Sequence, residues 1–403
     1  MFNKPLSEVE YSDIEKFCET FEEGVRVEYK SQMIDSIPKT ISAFANSLGG
    51  IILIGVETDK VTNKVIAING IDEQVGIEER ILNSSLTGIY PALIPEIKVF
   101  SIPSKESKVI IVIKVHESID APHAIQNSTR VYIRTGSISQ PYELAEIDKI
   151  DYLLRRRDKQ QKLKEQLKQN ARDRFDRLLL RISESRRPCI EVNISPVFPY
   201  HPLIALDDLY VFGTKKVPYN SPHYPYFNDP QRITDGICRF HRDQNYSYYR
   251  EINHYGLILT YDMLQKVPSN WHSVRDEEKE ERLFLRFTQI VLDIIKTLKL
   301  AELFYKECGY IGNLEIEINI QNIANEYLMY ADDSFDFLEG YKSLDNSAYS
   351  KKIITSEDTS SKLSEIVVSL TKNILWNFNP PGNIDLPRRI DDILKANKFE
   401  GYL

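Results

Sequence analysis

The sequence predicts an α/β (α+β) N-terminal domain built on a mixed sheet, a basic helical connector, and an α+β C-terminal domain. Three features carry this. A helical apolar repeat ends on Gly49-Gly50 and runs straight into the apolar stretch 51–56. Between positions 151 and 187 there are thirteen Lys/Arg against six Asp/Glu, in a chain whose net charge is −8. After Pro188 the composition turns aromatic and strand-like. The expected boundaries are 1–146, 147–187 and 188–403, consistent with 403 residues being too many for one typical core.

Taken in order, residues 6–20 read as a short amphipathic helix. Residues 25–30 alternate, Val25, Val27 and Tyr29 against Arg26, Glu28 and Lys30, as a strand with one charged face does. Ile34, Ile37, Ile41, Phe44 and Leu48 recur at helical spacing, with Asp35 or Ser36 as cap, Pro38 in the first turn and the glycine pair as stop. The run 51–56 lacks alternation, as expected for a strand covered on both faces. Further strands are expected at 65–68, 96–102, 108–115 and 130–135, with a helix near 78–85. Leu163, Leu167, Ala171, Phe175, Leu178 and Ile182 give the basic segment a helical stripe. In the last domain the pattern predicts strands over 189–262, a helix at 276–308 and a strand at 314–320. An acidic loop at 332–339 and helices at 362–378 and 386–396 follow.

Acidic residues outnumber basic ones, 59 to 51, which argues against a polyanion-coating protein and leaves room for a local basic face. The four cysteines are far apart, so neither a zinc site nor a disulfide framework is expected. The start of the chain lacks the apolar core of a signal peptide, and the most apolar helical segment carries several charges. A cytoplasmic protein without membrane contact is therefore expected.

Four motifs stand in a fixed order: Glu23 with Glu28-Tyr29-Lys30; Ala43-Phe44-Ala45-Asn46 with Gly49-Gly50; Ile54-Gly55-Val56-Glu57; and Tyr132-Ile133-Arg134-Thr135-Gly136-Ser137. On these motifs, about residues 20–145 resemble the Schlafen AlbA_2 family of nucleic-acid-binding domains. The resemblance implies DNA or RNA binding. For some members it also implies cleavage of tRNA-like RNA by two glutamates and an aspartate around a divalent ion. The glutamates fall on Glu23 and Glu28. Thr58 stands where an acid is often found, which leaves Glu57 or Asp59 as the third ligand.

Glu23, Glu28 and Asp59, with Glu57 as a further ligand, are thus the candidate catalytic and metal-binding residues for Mg²⁺ or Mn²⁺, hard cations that take carboxylate oxygens. Alternatively, Glu28 pairs with Arg26 or Lys30 on a solvated strand. Arg26, Lys30, Arg130, Arg134, Arg155, Arg156 and Arg157 are the candidate phosphate contacts. The basic helix reads equally as a solvated linker or a dimerising segment. His123 is either a general base or, as lone loop histidines more often are, structural. His241 with Arg239, Arg242 and the 246–249 tyrosines forms either a base-stacking surface or a β-domain core. No P-loop is present: the glycine pair follows a helix, where a phosphate loop precedes one.

The leading expectation is a metal-dependent endonuclease acting on structured RNA; the resemblance adds a prokaryotic antiviral setting. The alternatives are a non-catalytic DNA-binding regulator and a dimerising interaction subunit. A homodimer is expected, since nucleases of this type frame their substrate with two related lobes. The C-terminal domain is expected to bind a protein partner or act as a sensor.

Overall fold

The computed structural model describes residues 2, 6–59, 61–118, 120–126, 130–135, 138–144, 147–179, 187–199, 201–218, 222–225, 227–242, 246–268, 283–310, 312–330, 342–379 and 384–399. The chain forms two compact units, Met1–Gln160 and Gln161–Leu403.

In the first unit a single-turn helix, Leu6–Glu8, leads into α1 (Tyr11–Thr20). There follow β1 (Val27–Lys30), α2 (Ile37–Ala45), β2 (Gly50–Ile54), β3 (Val56–Thr58), β4 (Val65–Ile68), β5 (Ile71–Asp72) and α3 (Ile77–Gly88). The unit continues with β6 (Ile89–Tyr90), β7 (Glu96–Ser101), β8 (Lys108–Val115), β9 (Ala124–Ile125), β10 (Arg130–Thr135) and β11 (Ile138–Leu144). The helix α4 (Ile147–Leu179) begins in this unit and ends in the next.

Strands β1-β2-β8-β5, with β7 also on β8, make a mixed sheet in which only the β1–β2 pairing is parallel. Ile14 and Phe17 of α1 pack with Val27, Tyr29, Ile51, Leu53 and Val112 on one face. Ile41 and Phe44 of α2 and Ile81 of α3 pack with Ile52, Ile54, Ile111 and Ile113 on the other. All five residues of β2 are consequently buried, the physical reason its sequence shows no alternation. Gly49 turns the chain at φ +67°, and a Cβ on Gly50 would lie 2.5 Å from the Phe44 ring. The glycine pair therefore serves the sharp helix-to-strand turn and its close packing.

The alternative reading of Glu28, paired on a solvated strand, holds for its Lys30 partner but not for the solvation, since Glu28 is buried together with Val27 and Tyr29. Its face is the one that α2 and β10 cover. The strand also begins at Val27 rather than at position 25.

The second unit holds the end of α4, β12 (Cys189–Pro196), α5 (Leu206–Val211), β13 (Gln231–Ile233), β14 (Gly236–Arg242), β15 (Ser247–Asn253) and β16 (Ile258–Met263). Next come β17 (Lys266–Pro268), β18 (Leu283–Arg286), α6 (Phe287–Glu307), β19 (Asn313–Gln321), β20 (Tyr327–Met329) and β21 (Ser347–Thr355). The helices α7 (Asp358–Ser361), α8 (Leu363–Trp376) and α9 (Leu386–Ala396) complete the unit. Its antiparallel sheet has the order β13-β14-β15-β16-β12-β19-β21. Ile190, Val192, Ile194, Ile316, Ile318 and Ile320 form a core with α6, α8 and α9.

The opposite face of this sheet is acidic, and residues 161–179 of α4 lie on it. Lys164 and Lys168 reach Glu315, Lys168 also Glu317, Arg172 reaches Glu191, and Arg174 reaches Glu251 and Asp235. Leu167, Ala171 and Phe175 fill the space between, with Tyr249 and Leu259. The expected helix at 276–308 begins later, at Phe287, because Leu283–Arg286 pairs as a strand with β17 and β20. The strand β21 was not expected. The acidic loop at 332–339 lies outside the described residues.

Candidate nucleic-acid interface

The site is built on β1. Glu28 and Lys30, two positions apart, share a face, and the Lys30 amine pairs with Glu28 Oε1. Arg134, on β10, closes over Glu28 from the other side: Nη1 donates to Oε2 at 2.7 Å, and both side chains are sealed from solvent. The same guanidinium donates to the Gly24 carbonyl and lies 4.8 Å from the centre of the Phe44 ring. Arg134, expected to contact phosphate, instead spends its charge inside the fold, where it holds Glu28 in place.

Glu23, in the loop before β1, brings its carboxyl against that of Glu28. Burial first, and the Glu28 charge second, push its pKa up to about 6, while Lys30 pulls in the opposite direction. Thr58 donates to Glu23 Oε2 at 3.4 Å. Strand alternation decides the neighbours of Thr58. Glu57 is exposed and accepts a hydrogen bond from Asn69 Nδ2 at 3.0 Å. Asp59 accepts from the Val61 and Thr62 amides and from the Thr62 hydroxyl, bonds that hold its pKa below the usual carboxylate range.

Among the described residues, no three His, Cys, Asp or Glu side chains converge as a ligand set. Of the expected quartet, Glu23 and Glu28 come together, joined by the Thr58 hydroxyl, while Glu57 and Asp59 are engaged elsewhere. Such a donor set does not make a preformed three-carboxylate centre. It does fit an ion like Mg²⁺, which is commonly held by one or two carboxylates while phosphate oxygens and waters complete its shell.

Asn46, which sequence reasoning noted only as part of a motif, ties the region together. Its amide donates to the His123 and Tyr132 carbonyls, each at 2.8 Å, and its carbonyl accepts from the His123 amide at 2.7 Å. This fixes β10, and so Arg134, against α2. His123 itself is buried, with Nδ1 2.7 Å from the Pro91 carbonyl, and burial lowers its pKa. A carbonyl only accepts, so the proton sits on Nδ1, and the ring serves structure.

The remaining expected cations divide by position. Arg26 is half-buried immediately before β1, and Arg130, at the start of β10, is exposed. Arg155 is exposed on α4, while the Arg156 and Arg157 side chains lie outside the described residues. In the second unit His241 stacks on Tyr248, and Tyr249 is fully buried.

Residues 23–143 match the family described as Schlafen, AlbA_2. The match spans the N-terminal third of the chain and contains Glu23, Glu28, Lys30, Asn46, Thr58 and Arg134. Among solved structures, the chain is similar to the N-terminal domain of an ATP-dependent DNA helicase RecG-related protein from Nitrosomonas europaea. The identity is 22%, over 33% of this chain and 92% of that one, with a TM-score of 0.26. No curated protein matches the chain. The AlbA_2 match supports a nucleic-acid-related function for this region. Among the described residues no helix is long and apolar enough to cross a membrane.

Proposed function

We propose that the N-terminal unit binds nucleic acid and that the Glu23–Glu28 pair beside Lys30 is its phosphodiester-handling centre. One observation carries the reading: two carboxyls are held against each other, one of them with its pKa raised to about 6. Burial first, and the neighbouring Glu28 carboxylate second, disfavour the charged form of Glu23. That cost is relieved by a proton, or by a divalent cation arriving with phosphate. Lys30, Arg26, Arg130 and Arg155 supply positive charge for the backbone.

The finer proposal is a metal-dependent endonuclease acting on structured RNA in the cytoplasm. Glu23 and Glu28 would hold Mg²⁺ or Mn²⁺, which supplies an activated water and stabilises charge developing on the phosphodiester. Arg134 holds Glu28 oriented through its 2.7 Å contact, and Lys30 neutralises a phosphate oxygen. A second reading, a DNA-binding regulator without an ion, is favoured by Thr58 standing where an acid would complete the centre.

The test incubates the protein with tRNA, total RNA, and single- and double-stranded DNA, with Mn²⁺ or EDTA, alongside Glu23→Gln. Metal-dependent cleavage lost in the variant supports the nuclease. Retention that survives EDTA, with no cleavage, supports the regulator. Absence of retention at physiological salt overturns both.

A further inference from the structure

The strand β21 is the last in the seven-stranded sheet. One edge pairs with β19 over all nine residues, and no described residue pairs with the other. A strand of this length with an open edge is a template for another strand, and proteins commonly block such edges with lysines. Here both lysines are already engaged. Lys351 Nζ lies 2.8 Å from Glu315 Oε2 and 3.4 Å from Glu317 Oε1. Lys352 Nζ donates to the Ser369 hydroxyl of α8 at 2.9 Å. Meanwhile two large side chains on one face of the strand are exposed, Tyr349 at 53%, its hydroxyl donating to Glu317 Oε1 at 3.2 Å, and Ile353 at 41%.

We propose that β21 pairs antiparallel with β21 of a second copy of this chain, about a two-fold axis through Lys351. The sequence of the strand selects both the occupant and the register. A two-fold perpendicular to the sheet keeps each residue on its own face, so one residue must oppose itself. Centring on Lys351 overlaps the whole strand and sets Tyr349 against the partner's Ile353, twice. Centring on Ser350 would oppose Tyr349 to a lysine, and centring on Lys352 would oppose Ile353 to one. On the other face Ala348 and Ile354 are already buried, so the new contacts lie on the Tyr349 side. The near approach of the two Lys351 side chains is tolerated because each is neutralised by Glu315 and Glu317 of its own chain. Main-chain hydrogen bonds along the edge supply the attraction and the Tyr349–Ile353 pairs the specificity.

This interface brings two N-terminal units into one particle. It stands whether or not the proposed N-terminal activity does.

Sedimentation of the full chain over a dilution series tests it. The expected mass is twice 46.8 kDa. Tyr349→Lys and Ile353→Glu, each at an exposed position, are expected to weaken association about tenfold or more. The double variant Tyr349→Lys/Ile353→Glu places opposite charges across the two-fold at both positions and is expected to restore the dimer. Circular dichroism confirms that each variant remains folded. A wild-type monomer at every concentration overturns the proposal, as does a dimer indifferent to the single substitutions. Failure of the double variant to recover overturns the register about Lys351.

Discussion

Arg134 and Glu28 form an ion pair 2.7 Å long with neither side chain exposed, although 106 residues separate them in sequence. Lys30 completes a cation on each side of the carboxylate. A buried charge so placed depends on its partners, because removing one leaves the other desolvated and unpaired. Arg134→Ala is therefore expected to cost about 3–5 kcal/mol in urea unfolding. Arg134→Ala/Glu28→Ala should cost less than the two single changes summed, and full additivity would show that the pair is not coupled.

Asn46 offers a second test. Asn46→Asp keeps the shape but replaces the two amide protons that satisfy the His123 and Tyr132 carbonyls. A loss of about 1–3 kcal/mol is expected from the unsatisfied acceptors, together with weakened nucleic-acid retention as β10 loosens. An unchanged denaturation midpoint would show that β10 is held by other contacts.

The pH dependence of stability follows from Glu23. Its carboxyl is raised from the usual 4.5 to about 6, so between these values the native state holds the proton that the unfolded chain releases. The stability it contributes is full below about 4.5 and is lost as pH rises through about 6. Glu23→Gln should flatten this segment of the stability profile, measured by urea melts from acid to neutral pH. A slope that survives the substitution would assign it to another group.

Glu315 has the opposite sign. Its carboxylate accepts from Lys164 and Lys351, which hold its pKa down to about 2 against the opposing effect of burial. The stability it contributes is present above the ordinary 4.5 and is lost as pH falls towards about 2. Glu315→Gln leaves Lys164 and Lys168 buried with weaker partners and should cost about 3–5 kcal/mol at neutral pH. It should also increase proteolysis at residues 161–179 as the helix loses its hold on the sheet.

For the proposed interface, Arg130→Gln is expected to weaken RNA binding uniformly across sequences and to lower the salt slope of the affinity by about one. Fluorescence anisotropy at several salt concentrations reads both quantities. An unchanged slope would place Arg130 outside the phosphate path.

What could be read from the chain was what local pattern encodes. The helix-to-strand unit around Gly49-Gly50 was legible because a left-handed turn and a close approach to Phe44 admit little but glycine there. The run 51–56 was legible because a strand covered on both faces must be apolar throughout. Four motifs in order were enough to show the resemblance of about residues 20–145 to the AlbA_2 family, whose match covers residues 23–143. The basic helix was visible too, and the spacing of Lys164, Lys168 and Arg172 at every fourth position was a signal that these cations share one face.

Only the tertiary structure decided what those charges meet. Alternation within β1 put Glu28 on a charged face, but a helix and a distant strand cover that face, so the same residue is buried and ion-paired. Glu57 and Asp59 were equal candidates by spacing, yet the direction of β3 points Thr58 at Glu23 and turns both acids away. Arg134 looked like a phosphate ligand and is the internal counter-charge of Glu28. Charge and periodicity are properties of the chain, whereas the partner of a charge is set by which surfaces long-range packing brings together.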